Sequence, residues 1–377
     1  MTLGSARRIA GLVAAVLLAS CQGAADRRPS ADVVLGAVLP LSGADAASGE
    51  ALLRGLELGS RSVGPGPPIQ IRVLDGEGEP GPTVRRCREL ADDAGVRAVA
   101  GGWLASTARA MAAVAGPQGV PFVSLSPLTL PFGRSASPDI FVLHRLGALA
   151  SSSARFARED LSAQVAGVVR LADHEISSTL ADAFVEGFRQ LGGEVAWTIS
   201  PDASRHLSLP AGPEIRLDVI YVAAPSEWAL DAVFLGERGR DAKVLTAVGW
   251  ESSNLQSLVN VGATVYVSAF FSENEASPTT EQFLEECRAA GIAPTPAAAY
   301  GWDAARLVRH AAARSDGSRE GIASALSRTD PCAGATGPLA PWGVSWGPEA
   351  PGILSVTAEG WVPVRRVPAV AAEPGGG

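Results

Sequence analysis

From residue 33 onward, short runs that are apolar at nearly every position alternate with longer runs whose apolar residues recur every three or four positions. The short runs are Val33–Leu39, Ile69–Leu74, Val96–Ala100 and Pro121–Ser124, and helical patterns over 47–60, 82–94 and 106–116 separate them. Strands that alternate with helices in this way predict βαβ units and a parallel sheet. Strands apolar throughout suit a sheet covered by helices on both faces. The rhythm restarts after residue 145, with strands at Val165–Leu171, Val195–Ile199, Val219–Ala223 and Val244–Ala247 and helices over 149–160, 178–191 and 226–238. Two such units predict two Rossmann-like α/β lobes with parallel sheets and a cleft between them. Ligands of open parallel sheets sit at the carboxyl ends of the strands, so the cleft is the expected site.

The remainder is less regular. Thr279–Ala290 and Gly301–Ala313 carry helical patterns, and short β-like runs stand at 353–357 and 361–364 in a stretch rich in Gly, Pro and Trp. Residues 367–377 end in Glu-Pro-Gly-Gly-Gly and predict a disordered tail.

Composition sharpens this picture in two ways. Hydrophobic residues make up 47% of the 377 and charged residues 19%, so a packed core is expected rather than general disorder. The net charge of -8 comes with scattered basic residues, which argues against a nucleic-acid surface.

The first residues read as an address. Arg7 and Arg8 precede an apolar stretch, Ile9–Ala19, of 11 residues. A membrane-spanning helix needs about 20. The stretch ends in Leu18-Ala19-Ser20-Cys21, which resembles the bacterial lipobox. That resemblance implies lipidation of Cys21 and removal of residues 1–20, leaving 22–32 as a tether. The protein is then exported, to the periplasm or cell surface, and held to a membrane by lipid. Three other cysteines remain. Cys87 lies on the apolar face of a helical pattern with Val84, Leu90, Ala91 and Ala94 and reads as a buried thiol. An exported location permits disulfides, and pairing of Cys287 with Cys332 is left open.

Several short motifs point the same way when taken in order. Leu35-Gly36-Ala37-Val38-Leu39-Pro40-Leu41-Ser42-Gly43 is followed by Gly49 and Gly55, then Leu74-Asp75 and Arg88-Glu89-Leu90. Val99-Ala100-Gly101-Gly102-Trp103-Leu104-Ala105-Ser106-Thr107 and Gly119-Val120-Pro121-Phe122-Val123-Ser124 come next, and Ala299-Tyr300-Gly301-Trp302-Asp303-Ala304 and Thr336-Gly337-Pro338-Leu339 come late. Their order and spacing resemble the branched-chain amino-acid-binding periplasmic protein family over residues 33–365. The resemblance implies the type I periplasmic-binding fold, two lobes joined by three chain crossings near Phe141–Ala148, Val267–Ser272 and Gly337–Trp346. Lobe one is then 33–142 plus 273–336, and lobe two 145–268 plus 340–366.

The resemblance also implies a site. Family members hold an amino-acid carboxylate at a helix N-terminus, where unpaired N–H groups and the helix dipole favour an anion. The matching positions are Ala105, Ser106 and Thr107, joined by Ser126, Pro127, Leu128 and Thr129. Ser106 also suits a plain N-cap. The family's acidic anchor for the ammonium group falls on Val248, with Glu251 three residues on, and its cleft tyrosines fall on Ser48, Ile176 and a position near Pro225. An ammonium buried without a carboxylate is costly, so the expectation moves from an amino acid toward a small organic acid or another polar molecule with an apolar body. Trp103 and Trp250 read either as apolar walls for it or as core.

Asp173-His174-Glu175 falls, by the resemblance, in a loop that faces the cleft in the family, but the sequence offers no matching second cluster for a metal. It also contains no Gly-x-Ser-x-Gly, Gly-x-x-x-x-Gly-Lys or His-Glu-x-x-His motif. The expected function is capture of a small-molecule ligand by a monomer, without cofactor or catalysis, for a membrane permease of the ABC type. Ligand sensing without transport is the alternative.

Overall fold

Side-chain alternation along the first strand explains the layering of the first half. In β1 (Val34–Leu39), Leu35, Ala37 and Leu39 turn to one face and Val38 to the other, and all four are buried. The computed structural model describes residues 33–64, 66–126, 139–202, 207–208, 215–224, 242–247, 255, 258–260, 262–274, 277–328, 331–342, 345–347 and 350–370.

The first sheet contains β1, β2 (Gln70–Asp75), β3 (Val96–Gly101), β4 (Phe122–Ser124) and β5 (Ile140–Val142), all parallel. Three late strands, β11 (Cys332–Gly334), β12 (Gly337–Trp342) and β13 (Ser345–Gly347), extend its edge, giving the order β11-β12-β13-β5-β4-β3-β1-β2. Helices α1 (Ala46–Arg61), α7 (Pro296–Ala312) and α8 (Arg319–Arg328) cover one face, while α2 (Pro80–Asp92) and α3 (Ala105–Ala115) cover the other. A further helix, α6 (Pro278–Ala290), packs beside α7 through Phe283 and Trp302.

The second sheet has β6 (Val165–Arg170), β7 (Glu194–Ile199), β8 (Val219–Ala223), β9 (Lys243–Ala247) and β10 (Val265–Ala269) in parallel. The antiparallel β14 (Gly352–Thr357) and β15 (Gly360–Arg366) complete the order β15-β14-β10-β9-β8-β6-β7. Helices α4 (Leu146–Glu159) and α5 (Glu175–Gln190) pack on one face through Leu149, Phe156, Phe184 and Phe188. The apolar cluster formed there is continuous with that between the first sheet and α1 and α7. The expected helix over 226–238 lies outside the described residues, as does most of the expected tail.

These two α/β sheets make the two-lobed type I periplasmic-binding fold. The chain passes between them after β5, after β10 and after β13. The third passage differs from the expectation. Residues 337–342 and 345–347 form a hairpin that adds to the first sheet, with Ser345 paired to Val142, so the chain leaves that sheet only after Gly347. Cys87, Cys287 and Cys332 are all buried and all free; the pairing left open for the last two is not made.

One close approach fixes how the first lobe presents its helices. A Cβ at Gly55 of α1 would stand 2.0 Å from the Ala298 carbonyl oxygen, and one at Gly301 of α7 would stand 2.2 Å from that of Leu52. The two helices therefore meet backbone to backbone.

Candidate functional site

The turn from β3 into α3 is built for tight passage. Gly101 and Gly102 have φ of +150° and +68°, and a Cβ at Gly101 would lie 2.2 Å from the Val38 carbonyl oxygen. Only glycine fits such a place. The chain then runs through Trp103 and Leu104 into α3, whose first three residues are Ala105, Ser106 and Thr107.

The cap of α3 is Leu104, so the reading of Ser106 as the N-cap is corrected. Thr107 does the local work instead: its Oγ1 accepts from the Leu104 N–H at 3.2 Å and donates to the Leu104 carbonyl at 2.9 Å. Thr107 is buried. Ser106 is exposed and makes no hydrogen bond among the described residues, which leaves its hydroxyl to face outward beside the helix N-terminus.

The next strand end lies alongside. Gly101 and Ser124 are paired across β3 and β4, and the Leu125 N–H donates to the Gly101 carbonyl at 2.8 Å. Ser126 is buried, and its carbonyl accepts from the Ser124 hydroxyl at 3.3 Å. Pro127, Leu128, Thr129, Trp250 and Glu251 lie outside the described residues, as does Val248.

Trp103 is half-buried and packs on the core while keeping part of its surface free. Its ring centroid is 6.2 Å from that of Tyr300. Tyr300 in turn lies 4.1 Å from the ring of His144, which lies 4.8 Å from Phe270. His144 follows β5 at the first crossing and Phe270 follows β10 at the second. An aromatic column thus runs from the α3 turn into the hinge. No local sequence pattern links His144 to Phe270, residues so far apart in the chain.

A buried polar chain completes the hinge. His144 Nε2 is 3.1 Å from Thr336 Oγ1, which donates to Asp303 Oδ2 at 2.5 Å. Asp303 also accepts from the backbone N–H groups of Ala335 and Thr336 at 2.6 and 3.1 Å. Since Thr336 gives its one proton to Asp303, His144 must donate from Nε2, the tautomer that leaves Nδ1 as an acceptor. That Nδ1 has no partner among the described residues. Burial pushes the His144 imidazole down to about 3. Burial also pushes the Asp303 carboxyl up to about 6, against the pull of its hydrogen bonds and of Arg306.

The second lobe contributes the start of α5. His174 is its N-cap, with Nδ1 accepting from the Ser177 N–H at 3.3 Å. Glu175 is its first residue, and its carboxylate meets Arg109 of α3. Ile176, half-buried, follows it. His174 and Glu175 of the run are thus engaged in helix capping and an ion pair. No group of three or more potential metal ligands occurs among the described residues, and no helix among them is long and apolar enough to cross a membrane.

Comparison with known proteins agrees with this geometry. The family model described as "Periplasmic binding protein" matches residues 32–345. A putative branched-chain amino acid ABC transporter from Rhodospirillum rubrum superposes with a TM-score of 0.73 at 22% identity, covering 88% of this chain and 99% of that one. A leucine-binding protein from Thermotoga maritima gives 0.69 at 19% identity, covering 89% and 99%. A solute-binding protein of an ABC transporter from R. palustris, solved in complex with benzoate, gives 0.66 at 18% identity, covering 90% and 98%. No curated protein sequence matches. The family model spans most of the chain, and the strand order, crossings and neighbours fit it: this chain belongs to the periplasmic binding protein family.

Proposed function

We propose that the chain is an exported lipoprotein, anchored through Cys21, that captures a small organic acid between its lobes and delivers it to an ABC-type permease. Lobe one comprises 33–142 and 273–336 with the hairpin through 347, and lobe two comprises 145–268 and the strands from 352. The protein acts as a monomer and performs no catalysis.

The observation that carries this reading is the β3–α3 junction. The unshared hydroxyl of Ser106 lies in the first turn of a helix, where amide N–H groups without intrahelical partners favour an anion. Trp103 stands two residues before α3 as an apolar neighbour, and Ile176 belongs to the facing helix start. These features suit an acid with an apolar body. Val248 occupies the position where the family's ammonium anchor is expected, which disfavours an α-amino acid. The benzoate-bound relative supports the idea that this fold accommodates an acid without an ammonium group.

The direct test is native mass spectrometry of the processed protein with the small molecules it retains, followed by calorimetry with benzoate, short-chain acids and leucine. Binding of an acid that lacks an amino group supports the proposal. Micromolar binding of leucine with none of the acids overturns it. Cys21→Ala should release the protein from the membrane fraction and abolish any acyl mass on the processed N-terminus.

A further inference from the structure

We propose that Arg109 and Glu175 form a latch across the cleft, which biases the protein toward closure before any ligand arrives. Arg109 is on α3 of the first lobe and Glu175 opens α5 of the second. Arg109 Nη1 lies 2.9 and 2.7 Å from the two carboxylate oxygens of Glu175, across 66 residues of chain. The ion pairs Arg72 with Asp93, Arg170 with Asp182 and Arg365 with Asp160, by contrast, each stay within one lobe. Opening would separate Arg109 from Glu175.

Its surroundings suit a reversible contact. The two side chains keep 37% and 44% of their surface, so water reaches both and neither is stranded when the pair parts. Glu175 also stands at the positive end of α5, where a carboxylate is stabilised with or without Arg109. A pair of this kind shifts an equilibrium modestly, by about two- to fivefold. That is enough to matter, because apparent affinity scales with the fraction of protein in the binding-competent form. Arg109 also lies three residues beyond Ser106, on the same face of α3. The latch therefore flanks the proposed binding hydroxyl and sets how long the cleft stays shut around whatever it holds.

The test uses the processed chain stripped of ligand, so its outcome is independent of which solute the protein captures. Small-angle scattering and pulsed electron paramagnetic resonance between one spin label on each lobe report the closed fraction. Wild type, Arg109→Gln, Glu175→Gln and the charge-reversed Arg109→Glu/Glu175→Arg protein are compared at low and high salt. The expected result is a closed-to-open ratio about two- to fivefold lower in each single variant, an equal fall in wild type as salt rises, and recovery in the reversed pair. Should Glu175→Gln loosen α5 by circular dichroism, Arg109→Gln carries the test, since it leaves both helix starts intact. Single variants that match wild type at low salt overturn the proposal, as does a reversed pair that stays as open as the single variants.

Discussion

His144 and Asp303 are joined through one hydroxyl: Thr336 Oγ1 lies 3.1 Å from the imidazole Nε2 and 2.5 Å from the carboxylate. Both ends of this chain are fully buried, and burial moves them in opposite directions relative to their ordinary values. The folded Asp303 carboxyl titrates near 6 instead of 3.8, so its contribution to stability is full below 3.8 and is lost as pH rises through 6. The folded His144 imidazole titrates near 3 instead of 6.5, so its contribution is full above 6.5 and is lost as pH falls toward 3. Between about pH 4 and 6 the two slopes, each about 1.4 kcal/mol per pH unit, oppose one another. The prediction is read by difference. Relative to wild type, Asp303→Asn should lose stability as pH falls from 6 to 4, and His144→Gln should gain it. Urea unfolding across that range checks both; parallel pH profiles for the three proteins would refute the assignment.

The backbone contact between α1 and α7 predicts intolerance of even one methyl group. Gly55→Ala would place Cβ 2.0 Å from a main-chain oxygen that no side-chain rotation relieves. Destabilisation of about 3 kcal/mol or more is expected, measured as a lowered urea midpoint. Gly119→Ala is the contrast: its φ is +60° but its Cβ would meet nothing within 4 Å, so the cost there is backbone strain of about 1 kcal/mol.

Arg309 is buried on α7 and holds the turn between α1 and β2 through four carbonyls. Nε donates to Pro67, Nη1 to Gly59 and Ser62, and Nη2 to Gly66, at 2.6 to 3.0 Å. Arg309→Met strands those oxygens and should cost roughly 3 kcal/mol or more in thermal or urea unfolding. Arg309→Lys should rescue little, because an ammonium cannot copy the planar fork. A fully stable lysine variant would show that packing of the stem, rather than the fork, matters.

At the proposed site, Ser106→Ala should weaken binding of an organic acid by about 2- to 13-fold, the value of one net hydrogen bond. Because Ser106 takes no part in the capping of α3, unfolding should barely change. Calorimetry and thermal denaturation on the same samples separate the two effects. Unchanged affinity with an intact helix would remove Ser106 from the site.

How much of this the sequence discloses depends on the distance over which each feature is determined. The β3–α3 turn is local, and Gly101-Gly102 before a helical pattern announces it. The strand–helix rhythm is local too, so the two sheets emerge from periodicity alone. The cap of α3 is also local, but Ser106 is the residue type that suits a cap, while the Thr107 hydroxyl does that work by bonding to the Leu104 backbone. The column from Trp103 through Tyr300 and His144 to Phe270 joins four separate parts of the chain and has no local signature. The late hairpin misled for a different reason. Its Gly- and Pro-rich run has no alternation to mark strands, and only pairing of Ser345 with Val142 places it on the first sheet.

The distribution of thiols has a practical outcome. Cys87 sits on α2, Cys287 on α6 and Cys332 on β11, so all three belong to elements of the first lobe. The described part of the second lobe contains no cysteine. An alkylating reagent added to the native protein is therefore a one-sided stopwatch. Its reaction rate with the three sulfurs times the transient exposure of one half of the molecule, while melting confined to the other half passes unrecorded.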